Sequence, residues 1–179
     1  MDWLQMAEAR KQELIQELQQ LIQIESVKDE INFSDIIPFG AGPKAALDFM
    51  LQKGIEQGMT TKNIDNMAGH IEMGQGEELI GVLCHVDVVP AGDVASWTYP
   101  PFDGQVADGK LFGRGAIDDK GPTMAAWMAM KLIHDANIPL NKRVRMIIGT
   151  DEESGFQCVT RYFEKEEMPT IGFAPDADF

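Results

Sequence analysis

Cysteine is scarce in this 179-residue chain. Only Cys84 and Cys158 occur, too few for a disulfide scaffold, so the fold must rest on a packed core, and a reducing, cytoplasmic setting is expected. Basic residues are also few: 15 Lys and Arg stand against 29 Asp and Glu, a formal net charge of −14. No Lys/Arg cluster interrupts that balance, which argues against nucleic acid or an anionic membrane as partner and favours small ligands or cations. Long apolar runs are missing as well. Nothing approaches the roughly 20 consecutive apolar residues of a membrane span. Asp2, Glu8, Arg10, Lys11 and Glu13 break up the opening segment, so no apolar signal core forms and a soluble protein is expected. There is no internal repeat, low-complexity tract or clear linker.

What is present is the composition of a globular domain, 44% hydrophobic and 25% charged. A chain of this length hides roughly 70% of its unfolded surface. Residues 3–24 carry Leu14, Ile15, Leu18, Leu21 and Ile22 at helical spacing behind a capping Asp2, which predicts one amphipathic helix. A loop over 25–42, ending in Pro38, Gly40, Gly42 and Pro43, leads to a second helix over 44–57. Strands are predicted at 60–64, 67–73 and 78–84, the last nearly all apolar and so buried on both faces. Asp108-Gly109 marks a small hairpin over 105–112, followed by a helix over 119–136, a strand over 143–150, a helix over 156–165 and a strand over 170–174. Strands alternating with helices predict a three-layer α/β/α domain with a mixed, largely parallel sheet.

In such sheets ligands collect beyond the carboxyl ends of the strands. Three predicted strands finish in metal-competent residues: His85 and Asp87, then Asp151-Glu152-Glu153, then Asp176. A fourth group, Asp118-Asp119, opens the 119–136 helix. His85 and Asp87 are two apart in extended backbone and point the same way, so Asp87 can support the His85 ring through its other nitrogen. Cys84 points to the opposite face. Glu152 and Glu153 are adjacent and diverge, so one can ligate a metal while the other serves as general base. His85 with Asp87 alone would read as a structural pair, and consecutive acids alone as a solvated loop. Their convergence with the other clusters favours a metal site.

The runs His85-Val86-Asp87-Val88-Val89-Pro90-Ala91-Gly92, Trp97 with Pro101-Phe102, Gly113-Arg114-Gly115-Ala116-Ile117-Asp118-Asp119-Lys120-Gly121, Gly149-Thr150-Asp151-Glu152-Glu153-Ser154-Gly155 and Pro175-Asp176-Ala177 follow one another in order. Together they resemble the signatures of the co-catalytic dizinc peptidases and aminoacylases, and within that family the bacterial carnosinase-like dipeptidases. The resemblance implies that His85 and Asp176 hold one zinc, Glu153 helps hold a second, Asp118 bridges both, Asp87 orients His85 and Glu152 is the general base. It also implies a cis peptide between Asp118 and Asp119. The implied activity is zinc-dependent hydrolysis of dipeptides, with N-acyl-amino-acid deacylation and a metal-binding domain without turnover as alternatives. Manganese or cobalt also suits such carboxylate-rich sites. The family takes a further histidine from a position well downstream, past a lid domain, which neither His70 nor His134 matches. The chain is therefore expected to be the N-terminal part of a longer catalytic domain, with little activity alone.

The remaining candidates have plainer readings. Asp119 is expected to cap its helix. His134 falls near a helix C-terminus, where a cation suits the dipole, and His70 sits in a strand facing solvent or a hydrogen-bond partner. The methionines, among them Met124, Met128 and Met146, read as core filler, and Cys158 as buried and inert.

Overall fold

In the computed structural model, which describes residues 1–176, the N-terminal amphipathic segment is two helices rather than one, α1 (Trp3–Ala9) and α2 (Lys11–Ile22). Asp2 caps α1, its carboxylate accepting the Gln5 amide at 3.1 Å. The break falls at Arg10, whose φ of −100° and ψ of 1° leave the helix. Its guanidinium donates to Asp135 at 2.7 Å and to Glu13 at 3.2 Å, so a partner distant in sequence turns the chain where local periodicity would have continued it. The next helix, α3 (Ala41–Glu56), starts earlier than its pattern predicts. Gly40 takes the positive φ of 100° needed to enter it, and Pro43 falls in the first turn, where a missing N–H is tolerated.

Three strands follow, β1 (Thr60–Ile64), β2 (Ala68–Gly74) and β3 (Leu79–His85), then the hairpin β4 (Gln105–Ala107) and β5 (Lys110–Phe112). The hairpin turns on Asp108 and Gly109, with φ of 51° and 73°, as the Asp-Gly dipeptide predicts. The chain continues through α4 (Lys120–Asp135), β6 (Arg143–Gly149), α5 (Gln157–Lys165) and β7 (Ile171–Phe173). The main sheet has the order β1-β2-β6-β3-β7. β6, β3 and β7 run parallel, while β2 is antiparallel to both β1 and β6, so the sheet is mixed.

Helices cover both faces, giving the three-layer architecture. Ile71, Val82, Cys84, Met146 and Ile148 turn to one face and pack with Leu21, Ile22, Leu47, Met50, Met124 and Trp127 of α2, α3 and α4. On the other face Ile147 packs with Cys158 and Tyr162 of α5. Met50, Met124, Met128 and Met146 are all buried, as core filler should be. Cys84 lies in this interior, away from the rim where His85 points. Cys158 is also buried, and burial pushes its thiol up to about 11, which leaves it unreactive. His70 has found its partner inside. Its Nδ1 lies 2.8 Å from the Tyr162 hydroxyl, which in turn accepts from Arg145 at 3.3 Å. Arg145 can only donate, so the Tyr162 proton points at His70. Among the described residues, no helix is long and apolar enough to cross a membrane.

Candidate metal centre

β3 and β6 pair in parallel register, with His85 opposite Gly149, so the turns that leave them rise side by side. β7 lies on the other side of β3 and carries the chain to Asp176. This order brings three clusters distant in sequence to one rim, at the carboxyl ends of the parallel strands. Asp118 joins them from the turn that opens α4. The Asp118-Asp119 peptide is cis, as the resemblance implied.

At the centre is His85, 3% exposed. Its Nε2 is buried and makes no hydrogen bond. Around that nitrogen stand Asp118 Oδ1 at 3.1 Å, Asp176 Oδ2 at 3.6 Å and Glu152 Oε2 at 3.8 Å. One atom each from His85, Asp118 and Asp176 lies within 4.8 Å of the other two, a set able to hold a metal ion. A buried imidazole nitrogen without a hydrogen bond, faced by two carboxylates, suits a divalent cation, whose positive charge relieves the crowded acids. These residues fit a divalent metal ion. Without a cation the imidazole itself answers the negative charge. Burial alone would lower its pKa, but the contact with Asp87 and the charges of Asp87, Asp119 and Glu152 raise it to about 9.

Asp87 does more than support the ring. His85 Nδ1 faces the main-chain carbonyl of Asp87 at 3.1 Å, with the carboxylate Oδ1 at 3.4 Å. The two carboxylate oxygens accept the amides of Glu152 and Glu153, each at 3.1 Å. Asp87 therefore fixes the turn after β6 against the turn after β3.

Glu152 and Glu153 diverge as their adjacency predicts. Glu152 faces a small recess with His85, Phe156 and Asp176. Glu153 lines the opposite side, an open cleft of about 730 Å³ shared with Asp87, Pro90, Glu25 and Lys28. The pKa of Glu152 is raised, by burial first and by the acids Asp176, Asp87 and Asp118, against the opposing pull of His85. That of Glu153 is raised by burial and then by Asp118. Glu153 is not among the residues whose ligand atoms converge on His85. Of the last motif, Asp176 is at the rim and Ala177 lies outside the described residues.

Asp151, grouped with the two glutamates in sequence, turns inward instead. It is fully buried, accepting Lys28 Nζ at 2.8 Å, the Ser154 hydroxyl at 2.9 Å and the Gln157 amide at 3.1 Å. Asp119 corrects another expectation. It occupies the N-cap position of α4 but makes no capping bond. Its Oδ2 instead accepts the His85 amide at 3.1 Å and lies 3.0 Å from Thr123 Oγ1, because the strand end beside it offers an unpaired N–H. Burial pushes the Asp119 carboxyl up to about 6, opposed by those hydrogen bonds and by His85.

Sequence reasoning quoted Lys120 within the Gly113–Gly121 run but gave it no role. Its ammonium is fully buried and donates to the carbonyls of Leu21 at 3.0 Å and Ile24 at 2.7 Å. Burial lowers its pKa to about 7, although Asp87 acts in the opposite direction. One signal was available: a lysine at the first position of a helix opposes the helix dipole and calls for a reason.

Comparison with known proteins gives a family match and a shared fold. The model for Peptidase family M20/M25/M40 matches residues 81–179. "Putative dipeptidase YtjP" of Bacillus subtilis (strain 168) is 55% identical over the whole chain, which spans 38% of that protein's length. Human carnosine dipeptidase 1 shares the fold with a TM-score of 0.82 at 22% identity, over 98% of this chain and 40% of that one. Sso-CP2 of Sulfolobus solfataricus, an M20 family metallo-carboxypeptidase, superposes with a TM-score of 0.76 at 20% identity, over 92% of this chain and 37% of its own.

Proposed function

Because the chain belongs to peptidase family M20/M25/M40, we propose that it carries the first part of a zinc site that hydrolyses the peptide bond of dipeptides. The observation that carries this reading is His85 Nε2, buried without a hydrogen bond and faced by Asp118 and Asp176. In this reading His85, Asp176 and Asp118 would hold one zinc, Asp118 and Glu153 would serve a second, and the remaining ligand of that second position would come from outside these 179 residues. A zinc bound there would supply Lewis acidity, to lower the pKa of water and polarise a carbonyl, and manganese or cobalt would suit the same oxygen-rich set.

The chain's own residues supply the proton handling and the alignment. Glu152 is close enough to His85 to sit beside the reacting centre, and its raised pKa suits a group that takes a proton from water and returns it to the leaving amine. The Asp87 carboxylate fixes the amides of Glu152 and Glu153, so the base and the second ligand keep their places relative to His85. The names of YtjP and of carnosine dipeptidase 1 support a dipeptide as substrate.

The test is Glu152→Gln in the full-length enzyme, assayed with free dipeptides and with N-acyl amino acids. Zinc content should be unchanged and dipeptide turnover should fall by about 10² to 10⁴. Retained turnover would remove Glu152 from its role, and preference for N-acyl substrates would replace peptidase by deacylase. The 179-residue chain alone should bind one zinc more tightly than a second and show little turnover.

A further inference from the structure

We infer that Lys120 is a positioning residue for Asp118, holding the main chain that carries this metal ligand by tying the start of α4 to the end of α2. The inference rests on the metal reading above. Asp118 is a poorly anchored ligand: its side chain is 56% exposed, and His85 is the partner within reach. Its position must therefore be set through the backbone.

That backbone is pinned just after Asp118. One carboxylate oxygen of Asp119, Oδ2, is committed to the His85 amide and to Thr123, which ties the turn to β3. Lys120 ties it to the helix layer through its bonds to Leu21 and Ile24. The Leu21 carbonyl is in the last turn of α2, where it also accepts the Ile24 amide at 3.2 Å, and the Ile24 carbonyl is just past that end, where a cation is favoured. Lys120 thus leaves the positive end of one helix to neutralise the negative end of another.

The lysine stem is held as well. Gly115 has a φ of 84°, and a Cβ there would approach Lys120 Cδ to 3.0 Å and Val88 Cγ1 to 2.9 Å. The Gly121 amide donates to Gly115 at 3.3 Å, closing the turn over residues 115–121 around Asp118. A lysine so buried, with no carboxylate bonded to its ammonium among the described residues, is costly unless the tie is needed. A helix anchor alone would not require that residue two places after a metal ligand.

The test compares zinc affinity, by competition with a chromophoric chelator, in the wild-type chain, in Lys120→Met and in Gln19→Ala. Gln19 donates to Gly104 at 2.8 Å and so anchors α2 to a different loop. Lys120→Met should weaken zinc binding about tenfold or more, the scale expected when support behind a ligand is lost. Gln19→Ala should lower the melting temperature and leave zinc affinity unchanged. A folded Lys120→Met chain with wild-type zinc affinity, or an equal loss in Gln19→Ala, would overturn the assignment. If Lys120→Met does not fold, hydrogen exchange on the wild-type chain decides. Zinc should slow exchange of the amides in the last turn of α2, since coupling between two sites is reciprocal, and no change there would overturn it. A wild-type chain that binds no zinc would sink the metal reading itself and this inference with it.

Discussion

His85 Nδ1 meets the main-chain carbonyl of Asp87 at 3.1 Å, so the ring keeps a partner on this residue that no side-chain substitution removes. Asp87→Asn should therefore separate the two tasks of Asp87. An amide has one acceptor oxygen where the carboxylate has two, so one of the Glu152 and Glu153 amides loses its acceptor. In the full-length enzyme the variant should retain zinc at His85, while kcat falls about tenfold or more. Loss of zinc with no selective effect on kcat would show that the Asp87 carboxylate acts mainly on the ring.

Zinc should stabilise the chain. A cation held by His85, Asp118 and Asp176 would bind only their folded arrangement, which the unfolded chain does not present. At 100 times its dissociation constant a ligand adds about 2.7 kcal/mol. Thermal unfolding should shift upward with zinc and return with a chelator, and His85→Ala should abolish the shift. A shift that survives His85→Ala would place the metal elsewhere.

Several of these residues were legible in the sequence for a physical reason. A short apolar strand is easily seen to end, so the polar residues at or just past that end, His85 for β3 and Glu152 for β6, could be assigned to the rim without knowing their neighbours. Other features depend on partners that local patterns do not contain. The helix break at Arg10 answers to Asp135, 125 residues away. Asp119 looks like a cap because capping is read locally, but its carboxylate serves the amide of His85, 34 residues earlier. Asp151 resembles its neighbours Glu152 and Glu153 in type, and only the presence of Lys28 beside it explains why it turns inward.

The Lys28–Asp151 pair should carry measurable stability. Asp151 is fully buried and Lys28 about a quarter exposed, so the pair is better shielded from water than a surface ion pair. Lys28→Met leaves Asp151 with Ser154 and the Gln157 amide but no cation, at a cost of about 1–3 kcal/mol. Urea unfolding of Lys28→Met, Asp151→Asn and the double variant should show a coupling between the two sites. Additive effects would mean that the pair is not an energetic unit.

Acid should weaken the fold partly through His70. Burial first, and then the Arg145 charge, lowers its pKa from 6.5 to about 4. Between those values the unfolded chain binds a proton that the folded chain refuses, so stability falls as the pH drops through this window and levels off below it. His70→Gln removes that proton, and its stability should fall less steeply there, by up to about 1.4 kcal/mol per pH unit. Identical slopes for the two proteins, from urea unfolding across the window, would exclude His70 as a source.

The parallel pairing of β3 with β6 also bears on how the protein folds. Leu79 meets Arg143 and His85 meets Gly149 only after a loop on the order of 60 residues has closed, a non-local step of the kind that slows folding. Until that pairing forms, His85 and Glu152 have no common rim. A metal ion that recognises the finished rim is then a late observer of folding, and the appearance of zinc binding in a refolding experiment would time the joining of the two halves of the sheet.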